Sequence, residues 1–140
     1  MTGTDGGSAI DWAALRETAV QAAHLAYCPY SGLQVGVAAL AVDDAGALRL
    51  ITGCNVENAS YGLGLCAECA LVGQLRLTGG GRLVAVACRS GQGDLLMPCG
   101  RCRQVLYEFG GPELLVDTPQ GPQDMTWVLP EAFGPEHLPA

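Results

Sequence analysis

The sequence predicts an α/β fold, a three-layer α/β/α domain. Three observations carry this reading. Apolar runs of strand length recur along the chain; two helical segments fall between them, each closing on a glycine cluster; and no internal repeat or linker interrupts the pattern. Residues 1–9, rich in Gly, Thr and Ser, read as a flexible tail, and residues 10–140 as one domain.

The elements follow in order. Asp11 can cap a helix that carries Trp12, Leu15, Ala19, Ala22 and Leu25 on one side and ends before Pro29. Leu33 to Val42 and Ala47 to Gly53 read as strands joined by Asp43-Asp44-Ala45-Gly46, a hairpin. Ala67 to Leu77 reads as a helix stopped by Gly79-Gly80-Gly81, and Cys99 to Phe109 as one stopped by Gly110-Gly111-Pro112. Leu83 to Cys88 and Leu114 to Val116 are short apolar runs suited to a sheet covered on both faces. Met125 to Val128 is expected to add a last strand.

Composition narrows the function. Of the residues, 49% are hydrophobic and only 15% charged, against roughly a quarter charged in an average soluble domain, so part of the surface is expected to be hidden in an oligomer. The net charge of −7 argues against a nucleic-acid partner, whose phosphates require a basic face. There is no lysine among the seven basic residues, which excludes Schiff-base chemistry and a P-loop lysine. No apolar run is long enough for a membrane span, and the first residues lack a basic-then-apolar leader, so a cytoplasmic protein with reduced thiols is expected. His24 and His137 read as packing or surface residues, and Cys28, Cys54 and Cys88 as packing residues.

The remaining cysteines form two pairs, Cys66-Ala67-Glu68-Cys69 and Pro98-Cys99-Gly100-Arg101-Cys102, each opening a predicted helix. Free backbone N–H groups at a helix start stabilise thiolates, and thiolates at this spacing suit tetrahedral zinc. Two descriptions are open. Four sulfurs would make a closed structural site, whereas three sulfurs and a water would make a catalytic one with Glu68 beside the water. Glu68 is the only charged residue between Ala59 and Gln74, and Gly53 to Tyr61 places polar groups just upstream, as a small-molecule pocket would need.

These motifs, together with Ala26-Tyr27-Cys28-Pro29-Tyr30-Ser31, Gly53-Cys54-Asn55-Val56-Glu57-Asn58-Ala59, Arg103-Gln104 and Leu129-Pro130-Glu131-Ala132-Phe133-Gly134, resemble the homotetrameric zinc-dependent cytidine deaminases. The resemblance covers almost the whole chain after the tail. It implies a mixed five-stranded sheet, one Zn2+ per chain, and hydrolytic deamination of cytidine and 2′-deoxycytidine, with active sites at subunit interfaces. It places the zinc ligands on Cys66, Cys99 and Cys102 and the proton shuttle on Glu68. It puts ribose contacts on Asn55 and Glu57 and a backbone contact to the base on Ala67. It also gives a ring from a neighbouring subunit on Phe133 and, near the pocket, Tyr30 and Tyr61.

Two positions depart from the family pattern. Cys69 stands where many members carry an arginine that hydrogen-bonds the zinc thiolates, so Arg101 or Arg103, with the helix dipoles, is expected to compensate the thiolate charge. Leu33 stands where the family has a phenylalanine against the pyrimidine, which keeps the contact apolar but gives up ring stacking. A deaminase of a modified cytosine nucleoside or nucleoside antibiotic is therefore the alternative within the fold. A non-catalytic module built on a four-cysteine zinc site is the alternative of another class.

Overall fold

The computed structural model describes residues 10–139, so the expected tail at residues 1–9 lies outside the described residues. The chain runs α1 (Trp12–Ala23), β1 (Val35–Val42), β2 (Leu48–Cys54), α2 (Ala67–Leu77), β3 (Arg82–Ser90), α3 (Gly100–Gly110), β4 (Leu115–Val116), β5 (Gln123–Asp124) and α4 (Met125–Val128). The strands form one sheet in the order β2-β1-β3-β4-β5, mixed because β3 and β4 pair in parallel while the other neighbours are antiparallel.

Local chemistry accounts for the boundaries. The Asp11 carboxylate accepts the Ala14 N–H at 3.0 Å and starts α1. The helix stops at Ala23, two residues short of Leu25, so Leu25 points outward at 80% exposure instead of joining the buried stripe of Leu15, Ala19 and Ala22. In the β1–β2 turn Asp43 accepts the N–H groups of Ala45 and Ala47, each at 2.9 Å, which leaves the backbone little choice but to reverse.

One expected strand is corrected. Met125–Val128 is a single helical turn, because Asp124 Oδ1 accepts the N–H groups of Thr126 at 3.0 Å and Trp127 at 3.3 Å and caps it. The fifth strand is the pair of residues just before it, Gln123 and Asp124, so the apolar run lies beyond the sheet.

Alternation sorts the side chains onto two faces. Val37, Ala39 and Ala41 of β1 pack with Leu71 and Leu75 of α2 and Leu106 of α3, while Ala38 and Leu40 lie under α1. The register with β3 slips between Leu40 and Ala41, leaving Val84 unopposed and bringing Leu83 and Val86 to the α2/α3 face together. Small residues bring the helices close. A Cβ on Gly36 would lie 2.0 Å from the Ala19 carbonyl oxygen of α1, and one on Gly53 would lie 2.5 Å from the Ala67 carbonyl oxygen of α2. The three layers therefore clamp the N-terminal turn of α2 against the end of β2. Among the described residues no helix is long and apolar enough to cross a membrane.

Candidate metal centre and its cavity

The first turns of α2 and α3 meet. Cys66 is the residue that precedes α2 and Cys99 the one that precedes α3, both in extended backbone, and Cys102 lies in the first turn of α3. Their three sulfur atoms all lie within 4.8 Å of one another, with Cys66 Sγ and Cys99 Sγ 3.8 Å apart. Tetrahedral zinc with Zn–S bonds of about 2.3 Å separates its sulfurs by about 3.8 Å, so the triangle fits that ion. Cys69 is not part of the group; it is half-buried on α2 and donates its backbone N–H to the Cys66 carbonyl at 3.0 Å. Cys66, Cys99 and Cys102 together could hold a metal ion.

Burial pushes the Cys99 thiol up, but the backbone N–H groups of Cys102 and Arg101, with the neighbouring thiols, bring it below its ordinary value. Cys102 is pushed up by burial and by the Glu68 charge, and Cys66 by burial, with Cys99 and Glu68 adding to the rise. Without a cation the cluster resists carrying three thiolates beside a carboxylate. A bound divalent metal is what would let all three ionise.

Cys66 and Cys99, two corners of the triangle, line a cavity of about 460 Å³. Glu68, on the first turn of α2 and 3% exposed, faces it together with Ala67, Leu33, Cys88, Met97 and Pro98. Asn55 lines it from the end of β2 with its side chain fixed: Oδ1 accepts the Val35 N–H at 2.8 Å and Nδ2 donates to the Leu33 carbonyl at 2.9 Å. Glu57 accepts the N–H groups of Tyr30 at 3.0 Å and Ser31 at 3.1 Å as well as the Ser31 hydroxyl. The Ser31 hydroxyl, followed by those backbone donors, holds the Glu57 carboxyl below its ordinary range, so it stays ionised. Among the described residues, none that lines the cavity is basic.

Residues 11–118 match the model of the cytidine and deoxycytidylate deaminase zinc-binding region. The chain belongs to this deaminase family. A cytidine deaminase of Mycobacterium tuberculosis is 61% identical over 130 residues, covering 93% of this chain and 95% of that protein. The crystal structure of cytidine deaminase from Mycobacterium leprae superposes with a TM-score of 0.81 at 58% identity, covering 87% of this chain and 99% of that one. The Bacillus anthracis cytidine deaminase, at 19% identity and a TM-score of 0.62 over 86% of this chain and 88% of that one, shares the fold.

Within this deaminase fold, two expected pocket residues stand apart from the cavity. Tyr61 is 81% exposed and borders a neighbouring hollow of about 330 Å³ with Tyr30, whose ring centroid is 6.2 Å away. Phe133 is 59% exposed, stacks on His137 at 5.3 Å, and borders neither hollow; Gln104 Nε2 donates to its carbonyl at 2.7 Å. The two arginines near the cysteines differ. Arg103 donates to the carbonyls of Pro98 and Val128, each at 2.9 Å, tying the loop before Cys99 to α4, whereas the Arg101 side chain is exposed and only its backbone N–H reaches a thiol.

Sequence reading passed over two features. Cys88, read as packing, is buried as expected but also faces the cavity beside Glu68. Asp117, 2% exposed at the end of β4, binds Arg16 of α1 and Arg89 of β3. Its partners lie 101 and 28 residues away, so no local pattern could pair them.

Proposed function

We propose that the chain hydrolyses the C4 amine of cytidine and 2′-deoxycytidine, giving uridine or 2′-deoxyuridine and ammonia. One observation carries the proposal: three thiols are spaced for zinc, and two of them, Cys66 and Cys99, line a cavity into which a buried carboxylate, Glu68, faces without belonging to the thiol triangle. Zinc held by Cys66, Cys99 and Cys102 would lower the pKa of a water enough to make it a nucleophile near neutral pH. Glu68 then moves the protons. Its carboxylate takes one proton from the water and gives it to N3 as the oxygen adds to C4, then takes the second from the new C4 hydroxyl and passes it to the amine, which leaves as ammonia as the C–N bond breaks and the C4 carbonyl forms.

The other assignments follow the cavity outward. Ala67 is the first residue of α2, so its N–H has no helical partner and is free to meet the base. Asn55 and the ionised Glu57 offer polar atoms to ribose hydroxyls, and Leu33 packs against the pyrimidine. The N–H groups that open α3, with Arg103 held on the Pro98 carbonyl, compensate the thiolate charge, a role in which the Arg101 side chain is secondary. The absence of a basic residue in the cavity favours a free nucleoside over a nucleotide.

Assembly completes the site. Tyr61, Leu63, Leu65 and Phe133 are exposed at 81%, 66%, 46% and 59%, apolar side chains of the kind a second copy would cover. A cytoplasmic homotetramer in which a neighbouring subunit brings Phe133 over the base accounts for its outward position here. The decisive experiment measures ammonia release from cytidine and zinc content in the wild type and in Glu68→Gln. Activity with about one zinc per chain, and a variant that keeps zinc but loses at least about a hundredfold in kcat, is the expected result. Zinc without turnover on any cytosine nucleoside would overturn the proposal.

A further inference from the structure

Two segments beside the cavity, 30–33 and 55–57, are laced together through one hydroxyl. Backbone bonds first set their surroundings side by side: the Tyr27 N–H donates to the Asn55 carbonyl at 3.1 Å, and the Glu57 N–H to the Tyr27 carbonyl at 2.7 Å. Ser31 then joins the side chains. Its Oγ accepts the Leu33 N–H at 3.0 Å, which leaves its single proton for Oε2 of the Glu57 carboxylate. Gly32, at φ +73°, supplies the left-handed turn between Ser31 and Leu33. The Leu33 carbonyl is held as well, by Asn55 Nδ2 at 2.9 Å.

We propose that Ser31 is a positioning residue of the deaminase site, its hydroxyl holding the Glu57 carboxylate and the Leu33 backbone in one frame so that sugar and base are placed together. This rests on the function proposed above. Leu33 and Glu57 both line the cavity, whereas Ser31 lines only the neighbouring hollow, so it acts through them and not by touching substrate. The same hydroxyl sets how many sugar groups Glu57 can take. A carboxylate offers about four lone-pair directions. The N–H groups of Tyr30 and Ser31 occupy two on Oε1, at 3.0 and 3.1 Å, and the Ser31 hydroxyl occupies one on Oε2. One direction is left, for a single sugar hydroxyl that donates.

Alanine and threonine variants test this in the zinc-loaded enzyme. Ser31→Ala removes both bonds and should raise KM for cytidine about three- to tenfold with kcat little changed, since neither bond reaches Glu68 or the thiols. Ser31→Thr keeps the hydroxyl and should recover most of that loss. 2′,3′-Dideoxycytidine, used as a competitor, has no hydroxyl to place on Glu57, and its inhibition constant should rise less than the cytidine KM. Equal penalties for the two nucleosides, no rescue by threonine, or a loss carried by kcat would show a packing role and overturn the proposal. Carboxyl carbon NMR reads the bond without turnover. The Glu57 signal, identified by its loss in Glu57→Gln, should titrate below the ordinary carboxylate range, because the Ser31 hydroxyl leads the groups that lower it, and should move up in Ser31→Ala. An unmoved titration overturns the proposal even if deamination is confirmed. A moved titration in a protein inactive on every cytosine nucleoside leaves the contact standing and overturns the positioning role.

Discussion

Replacing Asp117 with alanine removes the one buried acidic group that joins α1, β3 and β4. Its oxygens accept Arg16 Nε at 3.1 Å, a second Arg16 nitrogen at 2.9 Å and an Arg89 nitrogen at 2.7 Å. Breaking a buried ion pair by deleting one partner costs about 3–5 kcal/mol, because the other charge stays behind unpaired. The two arginines are not equally trapped. The Arg16 side chain is 38% exposed and can rehydrate, whereas that of Arg89 is 17% exposed and its Nε is already buried without a partner. The expected loss is therefore near the low end, about 3 kcal/mol. For a chain of 140 residues with an unfolding entropy of about 2.1 cal/mol/K per residue, that is a fall in Tm of about 10 °C.

Arg16→Ala leaves the Asp117–Arg89 pair intact and should cost no more than about 1 kcal/mol. Urea unfolding at one fixed protein concentration, since assembly would make stability concentration-dependent, reads both numbers. The pH dependence has a definite sign. Burial raises the Asp117 carboxyl, but the hydrogen bonds and charges of Arg16 and Arg89 outweigh it and leave the folded value below the ordinary one. Its stabilisation is complete above the unfolded value of about 3.9 and is lost as pH falls through the lower folded value. Asp117→Asn should remove that acid-side loss. A cost below about 1 kcal/mol for Asp117→Ala, or an equal cost for Arg16→Ala, would refute this account of the cluster.

Three further outcomes are expected. Gly53→Ala would set a Cβ 2.5 Å from the Ala67 carbonyl and 2.6 Å from the Leu71 nitrogen, pushing away the turn that carries Cys66 and Glu68. Its zinc content should fall, whereas Gly36→Ala, which collides with α1 instead, should lose about 1–3 kcal/mol of stability and keep its metal. Metal analysis should find about one zinc per chain in Cys69→Ala and clearly less in Cys66→Ser; loss of zinc in Cys69→Ala would revive a four-sulfur site. Leu33→Phe should raise kcat/KM for cytidine about two- to tenfold, since ring pairing adds about 0.5–1.5 kcal/mol beyond area burial, and a clear loss would mean the cavity is shaped around leucine.

Much of the molecule is legible in local signals. The Asp11 cap, the Asp43 turn and the glycines after Leu77 and Phe109 act within a few residues of themselves, so α1, the β1–β2 hairpin, α2 and α3 follow from the sequence. Where two local signals compete the reading fails. Met125–Val128 is apolar enough for a strand, but the Asp124 cap wins and makes it a helical turn.

Local sequence is enough to read the chemistry of the site: which cysteines open helices, that Glu68 stands alone among apolar neighbours, and that the family is that of the zinc deaminases. Tertiary structure decided which sulfurs meet. Cys66 and Cys69 are three residues apart on the same turn, yet only Cys66 reaches Cys99 and Cys102, because the extended backbone before α2 turns its side chain toward α3 while Cys69 follows the helix away. Cys88 and Glu68 on one cavity wall, and Asp117 between two arginines, likewise needed the packed sheet. Contacts between distant residues are set by layer packing and strand register, and neither is written in any local stretch of chain.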